Sequence, residues 1–322
     1  MSPKKESPAY SPMSMHCVDF EPYVGVTPFP GYHGLHCHDF FEFYVYFSGA
    51  SYYSLGDQIS SLVPCTLVII PPFHTHGVLG AKADIPYERA WLYVSPGIMQ
   101  KVSMGTMDLS HYFKKCVQRG KAYFTIPFQE ADRLRGIIAE LSGHLEDESD
   151  ITRWQNALRV AQFLSQVYDL TQTAAADYKP VVLNESIQDI LSYINDHYRE
   201  SVSIPELSRR FGISASHMTR EFTAYTGRSV YDYVLYRRIQ SAKEMIYAGK
   251  SFTEIAFECG FNDYSCFLRA FQKLAGQSPS AYRKYIHSIG QMPRCCSLIS
   301  QKSPRQRFFE PLPGGFIQEY LH

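Results

Sequence analysis

SFTEIAFECGFNDYSCFLRAFQKLAGQSPSAYRKY, residues 251–285, decides the C-terminal fold, because its pattern has already occurred once in the chain. The earlier copy is SIPELSRRFGISASHMTREFTAYTGRSVYDYV, residues 203–234, offset by 48 positions in its first half and 49 in its second. Such self-similarity marks a structural repeat. Each unit opens with S-x-x-E, a capping box in which Ser203 or Ser251 satisfies orphan helix amides while Glu206 or Glu254 reaches back. A short helix, a glycine (Gly212 or Gly260) and a second helix follow, the latter carrying Arg220 or Arg269 two residues before Phe222 or Phe271. Gly227 and Gly276 then stand where a left-handed cap is needed. Two helices joined by a short glycine-containing turn make a helix-turn-helix, whose second helix enters the major groove. A helical repeat used for protein contacts is the alternative, and the arginine at equivalent places in both second helices favours DNA.

Between the units, YDYVLYRRIQSAKEMIYAG (231–249) reads as a single helix with Val234, Leu235, Ile239, Ala242, Met245 and Ile246 on its apolar face. One rigid helix between two such motifs sets their spacing, so that both second helices meet successive major-groove faces about 34 Å apart. From Ser201 to Ser288 there are twelve Lys or Arg against seven Asp or Glu, a net of +5, while the whole chain balances to zero. That local excess supplies the salt-dependent phosphate attraction of DNA binding. Met218, Phe222, Phe267 and Phe271 fall on the opposite helix faces and are expected in the core.

Residues 184–288 resemble the DNA-binding domain of the AraC/XylS family of bacterial transcription regulators, and EIAFECGFNDYSCFLRAFQKLAGQSPSAYRK (254–284) follows that family's signature throughout. The resemblance covers about a third of the chain. It implies a seven-helix domain that binds double-stranded promoter DNA at an asymmetric site, usually activating transcription by touching RNA polymerase. By position it implies that Ser216, Thr219 and Arg220 face bases, with His217 near the backbone, and that Tyr264, Ser265, Leu268 and Arg269 do so in the second motif. Arginine can take guanine O6 and N7 as a bidentate pair, and Ser and Thr accept several partners. Leu268 departs from the polar residue common there and reads at most a thymine methyl, so the second motif is expected to discriminate less. For each arginine a structural ion pair with a nearby Glu is the alternative role.

The remainder of the chain fits a multidomain α+β protein. Its 322 residues exceed one ordinary core, and 45% apolar with 19% charged residues is a globular composition. No apolar run long enough for a membrane span and no signal core after the opening lysines are found, so a cytoplasmic protein without membrane contact is expected. Eight cysteines without a C-x-x-C pair suggest small buried groups rather than a disulfide framework. Residues 20–95 read as strands, with apolar runs at Phe41–Phe47, Thr66–Ile70 and Arg89–Val94, and suggest a small barrel or sandwich within a domain at 20–127. Helical periodicity follows across 128–173, through Leu134, Ile137, Ile138 and Leu141 and then Leu158, Ala161, Phe163, Leu164 and Val167. This pair either covers the barrel or serves a homodimer. Residues 174–183 read as a linker, 1–19 and 289–322 as disordered, with Cys295 and Cys296 as unstructured thiols.

HCHDFFEFYVYFSG, residues 36–49, carries the other chemistry. His36, His38 and Glu42 share parity, so an unbroken strand would point all three to one side. H-x-H-x3-E-x6-G resembles the first cupin motif and PPFHTH (71–76) the second, with His76 in the histidine place and Phe73 where glycine is usual. The expected fold is therefore an N-terminal cupin-like β-barrel with two following helices and a C-terminal all-α domain. Three readings of the cluster stay open: polar groups for a small-molecule effector, a transition-metal site of His36, His38, Glu42 and His76, or structural hydrogen bonding. The effector reading adds Tyr44, Trp91 and Tyr93 as an aromatic wall, which suits a sugar, and requires no cofactor. Tyr46 belongs to the same wall, and His74 is expected at the pocket mouth or exposed. The rival class is a metal-dependent cupin enzyme fused to a DNA-binding module; another is a constitutive DNA binder whose barrel only dimerises.

Overall fold

The computed structural model describes residues 19–28, 35–56, 58–81, 85–143, 149–174, 176–177, 179–181 and 185–291. The readings made for residues 1–18 and 292–322, including Cys295 and Cys296, lie outside them. The N-terminal half contains β1 (Phe20–Thr27), β2 (Phe41–Ser48), β3 (Ala50–Leu55), β4 (Gln58–Ser61), β5 (Thr66–Ile70), β6 (His76–Ala81), β7 (Tyr87–Val94) and β8 (Tyr123–Thr125). They form two antiparallel sheets, one in the order β1-β7-β2-β5-β8 and one in the order β4-β3-β6. The three runs expected from sequence are β2, β5 and β7.

Strand β2 is buried on both faces, which is why its sequence is almost continuously apolar rather than alternating. Tyr44 and Tyr46 point between the sheets, among Tyr53, Leu55, Val68, Ile70, Tyr87 and Tyr123. Phe43, Val45 and Phe47 point the other way, into a larger core with the helices. That outer layer consists of α1 (Pro96–Val102), α2 (Leu109–Gln118), α3 (Phe128–Gly143) and α4 (Asp150–Thr173). The first two escaped sequence reading because they are short; Ser95 and Asp108 cap them by accepting the amides of Ile98 and His111. Leu158, expected on the buried stripe of α4, is instead 48% exposed. The inward side of that helix is set by Val160, Phe163, Leu164 and Val167, half a turn away.

The stretch expected as a linker bonds to the barrel along its sheet edges. Asp177 donates its amide to the Tyr123 carbonyl, Ser61 donates to Lys179, and Val181 donates to Ile59. Beyond it lie seven helices: α5 (Glu185–His197), α6 (Ile204–Phe211), α7 (Ala215–Thr226), α8 (Val230–Tyr247), α9 (Phe252–Glu258), α10 (Tyr264–Ala275) and α11 (Pro279–Gln291). Ser203 and Ser251 cap α6 and α9 by accepting the Glu206 and Glu254 amides, as the repeat requires. Helix α8 is shared by two cores. Val230, Tyr233 and Val234 join α5, α6 and α7, while Ile239, Ala242 and Ile246 join α9, α10 and α11. Met218, Phe222, Phe267 and Phe271 are fully buried, as expected.

The halves touch. The Tyr282 hydroxyl of α11 donates to Asp39 Oδ2 at 2.7 Å. A cleft of about 290 Å3 lies between Phe73 and residues of α8, including Arg237, Gln240 and Glu244. Among the described residues, no helix is long and apolar enough to cross a membrane.

Candidate functional sites in the barrel and on the recognition helices

Strand β2 begins only at Phe41, so His36 and His38 do not share a strand with Glu42 as the parity argument assumed. His36 instead forms a two-way backbone bridge with His76, at 2.9 and 2.8 Å, and the chain bends before entering β2. The Phe73 amide also donates to the His38 carbonyl at 2.7 Å, tying the two histidine-bearing segments together. The outcome is the expected convergence by a different route. Ligand atoms of His36, His38, Glu42 and His76 lie within 4.8 Å of one another, with His38, Glu42 and His76 buried.

Hydrogen bonds engage both nitrogens of His38 and of His76. His38 Nδ1 lies 3.0 Å from the Phe40 carbonyl, and His76 Nδ1 lies 2.8 Å from the His74 carbonyl. A carbonyl only accepts, so in each ring Nδ1 is the donor to it. The Nε2 atoms of both rings hydrogen-bond the same acceptor, Glu42 Oε2, at 2.9 and 3.0 Å. The two histidines hold the buried Glu42 carboxyl well below the usual carboxylate range, against the opposing effect of burial. Burial in turn pushes the His38 imidazole below its ordinary value, with the Glu42 hydrogen bond opposing it. Two imidazole nitrogens and a carboxylate oxygen thus meet at one point. That donor set, two imidazole nitrogens and a carboxylate with a third histidine alongside, fits a first-row transition metal, and the Nδ1 bonds are the outer support such ligands ordinarily have.

The wall expected from sequence shares this inner face. Glu42 pairs with Tyr93 and Tyr44 with Trp91 across β2 and β7, so all four project to one side. Ring centroids step from His38 to Tyr93 at 5.3 Å and from Tyr93 to Trp91 at 5.8 Å. Tyr44 hydrogen-bonds Tyr87 at 2.8 Å, and burial raises the pKa of its phenol. Tyr46 donates to the Ala50 carbonyl at 2.7 Å. Trp91 Nε1 is buried with no acceptor among the described residues. His74 is half-buried and lies toward α8, near Arg237 and Glu244, rather than at a barrel mouth.

On the second helices the expected base-facing residues are displayed on the surface. Ser216, His217 and Arg220 of α7 are exposed, and Thr219 is half-buried with its hydroxyl donating to the Ala215 carbonyl. Arg220 pairs with Glu221 at 3.0 Å and meets His217 Nδ1 at 2.9 Å. On α10, Tyr264, Ser265 and Arg269 are exposed, with Arg269 against Cys266 Sγ at 3.2 Å. Leu268 is half-buried against the core, which limits it further as a base reader. Sequence reasoning missed Phe73 as a working residue. It takes φ +67°, keeping the left-handed turn that glycine usually supplies, and spends its ring on the cleft with α8.

Comparison with known proteins matches both halves. Residues 27–177 match the family described as AraC-like ligand binding domain, and residues 207–285 match the family described as helix-turn-helix domain. The chain belongs to the AraC family of transcription regulators. Among curated relatives of this AraC-family chain, an uncharacterised helix-turn-helix-type regulator of Staphylococcus aureus strain COL is 28% identical over 153 residues, 47% of this chain and 20% of the relative. The regulator YdiP of Escherichia coli K12 is 36% identical over 121 residues, 35% of this chain and 40% of YdiP. The chain therefore spans between a fifth and two fifths of these relatives. A solved Listeria innocua protein of unknown function is 35% identical, covering 30% of this chain and 94% of its own, with a TM-score of 0.29.

Proposed function

We propose that this chain is an effector-responsive, DNA-binding transcription regulator, an activator working as a homodimer rather than an enzyme. The observation that carries the sensor part is the orphan donor Trp91 Nε1, buried on the same inner face as Tyr44, Tyr93 and the His–Glu cluster. A buried donor without an acceptor is costly unless a ligand supplies one. Aromatic faces beside several polar groups suit an oxygen-rich ring compound, a sugar in the simplest case. His36, His38, Glu42, Tyr44, His76, Trp91 and Tyr93 then form the effector site, and Ser216, His217, Thr219, Arg220, Tyr264, Ser265, Leu268 and Arg269 the DNA surface. RNA polymerase is the partner the activator reading adds. The test is a panel of monosaccharides scored by affinity of the full chain for a duplex selected from a random pool. A response confined to one sugar, and lost in Trp91→Phe, supports the reading; DNA affinity indifferent to every candidate ligand leaves only the constitutive binder.

The dimer part rests on α4. Ile151, Trp154 and Leu158 are spaced for one helix face and are 56%, 59% and 48% exposed. Such a stripe marks an interaction site more often than an idle surface. Trp154→Glu is expected to leave the fold intact and to shift a dimer to monomer by at least tenfold in dissociation constant, read by sedimentation. An unchanged oligomeric state would place the interface elsewhere.

A further inference from the structure

The inner face of β7 carries a positive charge that its surroundings do not balance. Tyr87, Arg89, Trp91 and Tyr93 share one parity along the strand, so Arg89 projects with the aromatic wall. Its guanidinium carbon lies 4.2 Å from the centroid of the Tyr87 ring, 5.0 Å from that of Tyr23 and 5.5 Å from that of Trp91. Across the ladder from Arg89 stands Gly25, whose missing side chain leaves the place that the Tyr23 hydroxyl takes. Sequence reading passed over Arg89. Its Nη1 donates to the Thr27 hydroxyl at 2.9 Å and to the Tyr87 carbonyl at 3.3 Å. Nε and Nη2 form the edge that grips a carboxylate with two parallel bonds, and they have no acceptor among the described residues. Among those residues no Asp or Glu pairs with Arg89; its sequence neighbour Glu88 lies on the other face and pairs with Arg135 at 2.7 Å.

Two positions along the same face, Trp91 Nε1 is the second donor without an acceptor. Donors gathered in this way describe the ligand that completes them, an acceptor-rich anion. Its charge can sit at one end only. Glu42 stands opposite Tyr93, four residues along β7 from Arg89 and so about 13 Å away by strand rise. His38 and His76 keep that buried carboxylate ionised, and it repels a second one. Arg89 and Tyr23, by contrast, are half-buried, so this end of the face meets solvent. Arg89 and Trp91 are about 7 Å apart by strand rise, a separation that one sugar ring with a carboxylate attached can bridge. We infer that the effector is a sugar acid, its carboxylate held by the Nε–Nη2 edge of Arg89 and an oxygen of its ring accepting from Trp91 Nε1.

This rests on the effector-sensing reading and narrows it, from an oxygen-rich ring compound to an anionic one, with Arg89 as the residue that sets the choice. A neutral sugar satisfies Trp91 and leaves the guanidinium edge to water. A simple aliphatic acid satisfies Arg89 and leaves Trp91 Nε1 buried without an acceptor. Only a ligand with both features completes both donors. The rings around Arg89 also restrict its guanidinium plane, so less freedom is lost when a carboxylate docks on its edge than with a lysine in the same place.

The test is titration calorimetry on the full chain, with D-glucuronate and D-galacturonate each set against its neutral parent, D-glucose or D-galactose, and with hexanoate as an acid that has no sugar ring. One of the two uronates is expected to bind roughly tenfold or more tightly than its parent and than hexanoate, the size of effect a charge-assisted pair of hydrogen bonds supplies. Arg89→Gln is expected to bring that uronate down to the affinity of its parent while the parent binds as it does to wild type. Arg89→Lys keeps the charge without the fork and is expected to fall between; it carries the test should Arg89→Gln disturb the wall and lose the parent as well. The assignment is overturned by a wild type that binds neither uronate, that binds parent or hexanoate as tightly, or whose preference survives in both Arg89 variants. Anisotropy of the selected duplex keeps that failure apart from failure of the underlying reading. A neutral sugar that shifts DNA affinity without any preference for its acid leaves the sensor standing, whereas DNA affinity indifferent to every ligand that binds removes it.

Discussion

Arg220→Ala weakens binding of the full chain to its selected duplex roughly 10- to 100-fold, the value of a good bidentate base contact. It also relaxes the preference at one base position. The side chain is 70% exposed and stands on the outer face of α7, opposite the buried Met218 and Phe222. Its present partners, Glu221 at 3.0 Å and His217 at 2.9 Å, form an exposed pair of the kind that contributes at most about 1 kcal/mol to stability. The variant therefore melts close to wild type, which separates a readout role from a structural one. His217, one turn toward the N-terminal end of α7, accepts from the guanidinium, and that end reaches base edges in this motif. Arg269→Ala is expected to cost less discrimination, because its neighbour Leu268 is half-buried against the core and offers only an apolar edge to read. Fluorescence anisotropy with matched and single-base-altered duplexes checks both. Unaltered affinity and unaltered base preference in Arg220→Ala would return this arginine to the surface ion pair.

The C-terminal half was legible because its signals are local. A serine followed by glutamate three residues on, a glycine after the last helical turn and buried aromatics at helical spacing each act within a few residues, and each recurs in both units. The barrel was legible only in part. Strand β2 announced itself by composition, yet its start could not be read, since the backbone bridge between His36 and His76 joins segments 40 residues apart. The four residues that converge were singled out nevertheless, because residue type and motif spacing do not depend on whether the intervening chain is extended or bent. Leu158 went wrong for a related reason. Leu158 and Phe163 both fit helical spacing in α4, and only the position of the five-stranded sheet decides which of them is covered. The contact between Tyr282 and Asp39 spans 243 residues and had no sequence signal at all.

Two glycines that read alike in sequence are expected to respond very differently to substitution. Gly212 and Gly260 occupy equivalent turns and both take positive φ, +66° and +83°. A methyl added at Gly212 meets nothing within 4 Å, so Gly212→Ala carries only the backbone penalty, about 1 kcal/mol. At Gly260 the added carbon falls 2.2 Å from the Arg199 carbonyl oxygen, far inside contact distance. That backbone cannot retreat cheaply. Arg238 of α8 donates to the Tyr198 and Glu200 carbonyls, each at 2.7 Å, and the Tyr198 hydroxyl donates to Ser241 at 2.9 Å. Gly260→Ala must therefore break the seat of the second helix-turn-helix turn on the end of α5, at about 3 kcal/mol or more. Both tryptophans lie in the N-terminal half, so their fluorescence reports the barrel while helical circular dichroism is weighted toward α5–α11. In Gly260→Ala the dichroism transition is expected to move to lower temperature while the fluorescence transition stays near its wild-type position, and DNA binding is lost with the former. Equal shifts in the two variants would mean that the segment at Arg199 yields, and that the two helix-turn-helix units are not held at a fixed spacing by α8 and this turn.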